Sequence, residues 1–289
     1  MPTAPAYDQS KVPADWWKRA AAIETLNKRF RCHIVGLFMR GRSSLGSQAA
    51  IYTGFLLEYH DNLLWLTAGH VIDNFRAALT SKDFTPDQIV WMDTYVDQEG
   101  PHVPAPFNNR DARMKSWVTQ GTDAGVILIG NLDREALYTN KNLRPFKIQG
   151  TWPGEDGSAE GYYIIGYPEK LVDHTKELRN DKQVHHRFAP HLVSLPMLRI
   201  KAPDADEAAG LWRFPGGFYG QIIPFSDRPL AKVEDITGMS GGPVISIARE
   251  ADGNLRYRLV GIQSGWLALR RIIRAELIDK VLELIDTWL

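Results

Sequence analysis

A single cysteine, Cys32, stands in 289 residues, so no disulfide can form within the chain. That excludes a small secreted domain stapled by cross-links and points to a reducing compartment, so a cytoplasmic location is expected. Charge of either sign is not in excess: 34 lysines and arginines meet 34 aspartates and glutamates. The basic surplus of a nucleic-acid-binding protein is missing, and nucleic acid is not an expected partner. No apolar run approaches the ~20 residues of a membrane helix, so no membrane association is expected. The opening Met1-Pro2-Thr3-Ala4-Pro5 lacks a basic region followed by an apolar stretch, so no signal peptide is expected.

Apolar residues are plentiful, at 44% against 24% charged, enough for a large core without covalent staples. One short stretch draws attention within it, Gly238-Met239-Ser240-Gly241-Gly242-Pro243. Glycines on both sides of a lone serine permit positive φ and close approach of another chain. A serine on such a turn is exposed beside outward backbone N–H groups, which can receive a developing oxyanion. The following Val244-Ile245-Ser246-Ile247 reads as a buried strand that holds the turn.

Serine needs a base within hydrogen-bond reach, and the base needs an orienting group. His70 follows Leu64-Trp65-Leu66-Thr67-Ala68-Gly69, and Asp123 precedes the small apolar run Ala124-Gly125-Val126-Ile127-Leu128-Ile129. Asp93, Asp97 and Asp111 are competing carboxylates without such a strand behind them.

Along the chain, the first dozen residues read as a loose tail. Asp15 is a candidate cap for an amphipathic helix to about Phe30, carried by Trp16, Trp17, Ala20, Ile23 and Leu26. That helix either packs on the body or docks a partner. Cys32–Met39 reads as a strand, Arg40–Ser47 as a loop, and Ala49–Glu58 with Asn62–Leu66 as a hairpin around His60-Asp61-Asn62. A short helix is expected from His70 to about Leu79, and Pro101–Asn109 reads as a proline-rich loop. Residues from Pro153 to Glu160 read as a boundary, and Tyr162–Gly166 as the next strand. His174, His185, His186 and His191 fit no zinc spacing, so no metal is expected. Tyr257–Ser264 reads as a strand. Ile272, Ile273, Leu277, Ile278, Val281, Leu282 and Ile285 recur at helical spacing, so a helix is expected over 268–289, packed on the body or making a dimer contact.

The three blocks around His70, Asp123 and Ser240, in that order, resemble the trypsin-like, chymotrypsin-fold serine peptidases over about residues 33–269. The Thr-Ala-Gly step before the histidine, the aspartate opening a small-apolar strand and Gly-x-Ser-Gly-Gly-Pro carry the resemblance. Thr53-Gly54-Phe55 also matches a step that packs the family's first barrel. The disulfide-free composition resembles its cytosolic and bacterial members. The resemblance implies an all-β fold of two six-stranded antiparallel barrels, here with N-terminal and C-terminal amphipathic helices. The parts would be a tail and helix at 1–30, a first lobe at 31–150, a second lobe at 151–267 and the helix from 268.

It further implies a serine endopeptidase with Ser240 as nucleophile, His70 as base, Asp123 as orienting acid, and the N–H groups of Gly238 and Ser240 as oxyanion hole, with no metal or organic cofactor. Met239 stands where secreted members carry an aspartate that pairs with a freed N-terminus, so activation by such cleavage is not expected. Glu234 is placed by its offset at the floor of a specificity pocket, which would favour arginine or lysine in a peptide or protein substrate. Asp235 could take that place, or both could be solvated. Ser264-Gly265-Trp266 resembles the segment that pairs with substrate backbone, with Trp266 lining the pocket or sitting in the core. Two other functions stay open: a peptide-binding or sensor module on the same fold, and an effector domain switched on by a regulatory protein partner.

Overall fold

The computed structural model describes residues 15–93, 105–108, 112–139, 143–148, 159–169, 172–178, 184–203, 216–223, 235–249 and 254–289, with backbone alone for 93, 172–178 and 184–190. The tail, most of the proline-rich loop, most of the stretch before Glu160, and Glu234 lie outside them.

The chain enters through a 3-10 turn at Trp16–Lys18 and helix α1, Ala20–Phe30. Ile23, Leu26 and Phe30 form its buried stripe, as the spacing requires. Asp15 does not cap it; its carboxylate accepts from Arg19 Nη2 at 3.3 Å instead, because the 3-10 turn separates it from the helix. The segment is docked onto the second lobe. Tyr163 Oη donates to the Trp17 carbonyl, Trp16 Nε1 donates to Glu160, and the Trp17 and Tyr163 rings meet edge to face at 6.2 Å. Gly161 leaves the room: a Cβ there would lie 2.4 Å from the Trp17 ring.

The first lobe follows with β1 (Val35–Ser43), β2 (Gly46–Tyr52), β3 (Phe55–Tyr59), β4 (Asn62–Thr67), α2 (Gly69–Thr80), β5 (Phe84–Asp93), β6 (Ala105–Pro106), β7 (Arg113–Ser116), β8 (Gly125–Leu128), α3 (Asn131–Thr139) and β9 (Phe146–Lys147). The β3–β4 turn is the expected hairpin, with His60 and Asp61 both at positive φ between the paired Tyr59 and Asn62. The expected loop at 40–47 is instead the tip of a second hairpin: β1 runs to Ser43 and pairs with Gly46 at the start of β2. Its serines and glycines are exposed or pleated rather than looped. These strands form two sheets, β2-β1-β5-β6 and β7-β8-β4-β3-β9, tied by a bridge from Ile34 to Phe55. Among the described residues this lobe is therefore a pair of sheets rather than one closed barrel, with one parallel pairing, β3 to β9. Leu37, Leu56, Trp65, Phe75, Trp91 and Ile127 fill the space between.

The second lobe comprises β10 (Gly161–Gly166), a β11–β12 hairpin (Val172–Leu178, Val184–Pro190), β13 (Val193–Arg199), β14 (Phe218–Ile222), β15 (Pro243–Arg249), β16 (Leu255–Leu267) and β17 (Ile272–Leu277). Six of these close into a barrel in the order β10-β13-β14-β17-β16-β15. Its core takes residues from all six, among them Ile164, Met197, Phe218, Val244, Val260 and Ile273. The C-terminal helix expected from residue 268 begins only at Ile278, as α4 (Ile278–Asp286). Residues 272–277 are the strand that closes the barrel. Ile273 and Ala275 face the core while Arg274 and Glu276 are buried on the other face, an alternation that two charged residues disguise as a helical polar side. A third cluster joins everything: Leu26 and Phe30 of α1, Val281 and Ile285 of α4, Phe55 and Leu64 of the first lobe, and Tyr163 and Ile245 of the second. Both terminal helices thus pack their apolar faces on the body.

Candidate active site

The pairing of β4 with β8 decides where His70 and Asp123 lie. Thr67 at the end of β4 is in register with Gly125 at the start of β8. His70 comes three residues after the first and Asp123 two before the second, so antiparallel pairing brings them together. The approach is close enough to exclude side chains: a Cβ on Gly69 would lie 2.6 Å from Val118 and 2.8 Å from the Ala124 carbonyl. Asp123 then uses both oxygens on one partner, accepting the His70 backbone N–H at 2.9 Å through Oδ1 and meeting His70 Nδ1 at 2.9 Å through Oδ2. With a carboxylate against Nδ1, the proton of the neutral ring belongs on that nitrogen, leaving Nε2 as acceptor.

The serine turn is anchored from three sides. Met239 is wholly buried in the barrel core, and its backbone joins Ile236 and Gly242. Gly241 N donates to the Gln263 carbonyl and Gln263 N to the Gly242 carbonyl, tying the turn to β16. Thr53 of the first lobe donates to the Gly238 carbonyl at 2.7 Å and accepts from Tyr167 N at 3.1 Å. Gly238 and Gly241 sit at φ +95° and +97°. Met239 is thus an apolar peg that fixes the turn without an ion pair.

His70 and Ser240 line one cleft of about 280 Å³ between the lobes. Phe38, Ala49, Ala50, Ile51 and Tyr52 form its first-lobe wall, with Val71 and Asn74 beside the histidine. Glu169, Thr237 and Gly238 stand beside the serine. Among the described residues, no hydrogen bond joins the Ser240 hydroxyl to His70, and neither Gly238 N–H nor Ser240 N–H donates to a protein acceptor.

Of the remaining sequence candidates, Asp235, Ser264, Gly265 and Trp266 are not among the residues that line this cleft. Asp235 Oδ1 is occupied by the N–H and hydroxyl of Thr237, in a local turn. Ser264 is buried and accepts from Arg274 Nη1 at 2.9 Å; Gly265 is in register with Arg274; Trp266 packs against the barrel core. Glu276 went unread in the sequence. It is 1% exposed, accepts from Arg274 Nη1 at 2.7 Å, and accepts the backbone N–H of Asp123 at 2.9 Å. The two-residue alternation Ile273-Arg274-Ala275-Glu276 was the available signal. Among the described residues no cluster of metal-binding side chains occurs, and no helix is long and apolar enough to cross a membrane.

A closed six-stranded barrel, a second β lobe and a cleft at their junction holding His70 and Ser240 are consistent with a chymotrypsin-like all-β fold. Three solved structures similar to this chain are of proteases. One is the active form of a protease from M. tuberculosis, at 14% identity over 98% of this chain and 88% of that one, with TM-score 0.42. Another is the protease Anisep from Arthrobacter nicotinovorans, at 13% identity over 85% and 89%, with TM-score 0.43. A third is a thermostable serine protease from an extremophilic microorganism, at 14% identity over 84% and 90%, with TM-score 0.40. No family model matches the chain, and no curated protein matches its sequence.

Proposed function

We propose that the chain is a serine endopeptidase acting on peptide or protein substrates. The observation that carries this reading is the doubly hydrogen-bonded His70–Asp123 pair facing the cleft that Ser240 lines. In this reading Ser240 Oγ attacks the scissile carbonyl. His70 Nε2 takes its proton and returns it to the leaving amine, and water then releases the acyl group by the same route. Asp123 keeps the proton of the neutral ring on Nδ1 and stabilises the imidazolium. The N–H groups of Gly238 and Ser240 receive the oxyanion, a contribution worth about 10²–10³ in rate per donor. The residues need no metal or organic cofactor for this chemistry. Cleavage after arginine or lysine would rest on Glu234, and a peptide-library profile decides it: a large apolar or acidic preference sinks that assignment.

The unjoined Ser240 hydroxyl favours one second reading, a domain whose serine and histidine are brought into contact only by a bound peptide or a regulatory partner. A fluorophosphonate probe separates the two. Labelling that disappears in Ser240→Ala supports the peptidase. Labelling that appears only when a partner or peptide is added supports the switched form, and peptide binding without labelling under any condition leaves a binding module.

A further inference from the structure

We propose that Arg274 and Glu276 form a positioning pair that fixes the backbone of Asp123 and balances the charge behind the carboxylate that holds His70. This rests on the peptidase reading for its consequence in catalysis, but its structural part stands on three hydrogen bonds. Glu276 reaches out of the barrel and accepts the Asp123 N–H at 2.9 Å, across 153 residues of sequence. Arg274 Nη1 holds that same Glu276 oxygen at 2.7 Å and the Ser264 hydroxyl at 2.9 Å. Both carboxylate oxygens of Asp123 are committed to His70, so its backbone is the remaining handle by which the rest of the protein can aim it.

The pair is a poor device for stability alone. Arg274 is 3% exposed and Glu276 1%, and among the described residues Arg274 Nε and Nη2 have no hydrogen-bond partner. Desolvating an ion pair and leaving donors empty costs more than a well-packed apolar pair of the same volume. What the pair supplies instead is a rigid acceptor at the base of the His–Asp unit whose negative charge is cancelled at contact distance. Without Arg274, a buried carboxylate would stand behind Asp123 and favour the imidazolium. Without Glu276, a buried guanidinium would disfavour it. Among the described residues, the other titratable groups on the elements around the ring are Asp123 itself, Glu169 in the same cleft, and, on the same helix, Asp73, which accepts from Ser116, and Arg76, which donates to the Met114 carbonyl. None of these is altered by substituting the pair.

The test is an NMR titration of the His70 ring, with amide exchange at Asp123 and steady-state kinetics on a peptide substrate. Glu276→Gln should lower the His70 midpoint by about half a pH unit or more, and Arg274→Met should raise it by a similar amount. The double variant Arg274→Met/Glu276→Leu leaves no buried charge and no acceptor. It should restore the midpoint, speed Asp123 amide exchange about tenfold, and lower kcat about tenfold with KM within about twofold. Single variants that shift the midpoint in the same direction, or not at all, overturn the charge-balancing role. A folded double variant with unchanged Asp123 exchange and unchanged kcat overturns the positioning role, even if a single variant fails to fold. If wild-type Ser240 resists the fluorophosphonate while the titration and exchange respond as stated, the peptidase reading fails and the pair's role at Asp123 stands.

Discussion

The hydroxyl of Thr53 donates to the carbonyl of Gly238 across 185 residues of sequence and the whole junction between the lobes. The same oxygen accepts from Tyr167 N at 3.1 Å, and Thr53 is completely buried. One side chain from the first lobe thus sets the turn that carries Ser240. Thr53→Val keeps the shape and deletes the bridge, stranding a carbonyl and an N–H. We expect a loss of about 2–4 kcal/mol in urea unfolding and a fall in kcat/KM, whereas Thr53→Ser should lose about 1 kcal/mol and keep activity. A valine variant as stable and active as wild type would show the bridge to be incidental.

Gly241 combines two constraints that can be separated by comparison. Its φ is +97°, and a Cβ would lie 2.0 Å from Thr67 Oγ1 and 2.3 Å from the Thr53 carbonyl. Gly46 has φ +106° with nothing within 4 Å. Gly46→Ala should therefore cost only the backbone term, about 1–2 kcal/mol, while Gly241→Ala should cost about 3 kcal/mol or more and abolish labelling of Ser240. Thermal unfolding of the two variants side by side reads the difference.

Asp123 reads the mechanism directly. Asp123→Asn can still accept the His70 N–H through its carbonyl oxygen, but its NH₂ then faces Nδ1 and forces the ring proton onto Nε2. With the wrong tautomer facing Ser240, kcat should fall about 10⁴-fold near neutral pH with little change in KM. A loss of tenfold or less would mean that Asp123 does not set the tautomer of a catalytic His70.

His33 carries the clearest pH signature outside the cleft. Its Nδ1 lies 2.7 Å from the Arg144 carbonyl and its ring stacks on Phe146 at 4.1 Å. Burial lowers its pKa to about 4, against the raising effect of the Arg144 carbonyl. The native state therefore keeps the ring neutral where the unfolded chain, near 6.5, takes up a proton. Stability from this site is full above about pH 6.5 and drains away as the pH falls towards 4, by at most about 3 kcal/mol. Urea midpoints of wild type and His33→Gln between those values should converge as the pH drops; parallel curves would assign the acid sensitivity elsewhere.

Much of this is legible in the sequence. The Gly-x-Ser-Gly-Gly-Pro turn, the His60-Asp61 hairpin, the α1 stripe and the helix after His70 are local features, set by φ preferences and by periodicity within a dozen residues. The order and flanks of His70 and Asp123 marked both residues, and β4–β8 pairing joined them. The reading failed where burial and polarity part company. Residues 272–277 continue the helical spacing of the apolar positions because Arg274 and Glu276 fall between them, yet both charged residues are sealed inside a strand. The serines and glycines of 40–47 looked like a loop because an exposed hairpin tip needs no apolar alternation.

The sequence by itself determined which side chains could do chemistry here and which local shapes would present them, since turns and amphipathic stripes depend on near neighbours alone. Only the tertiary structure decided that Thr53 would hold the serine turn, that Met239 would peg it, and that a buried Arg274–Glu276 pair would stand behind Asp123. Those relationships join residues from different lobes or buried faces. Their energies depend on desolvation and exact partner geometry, which no pattern along a single chain encodes.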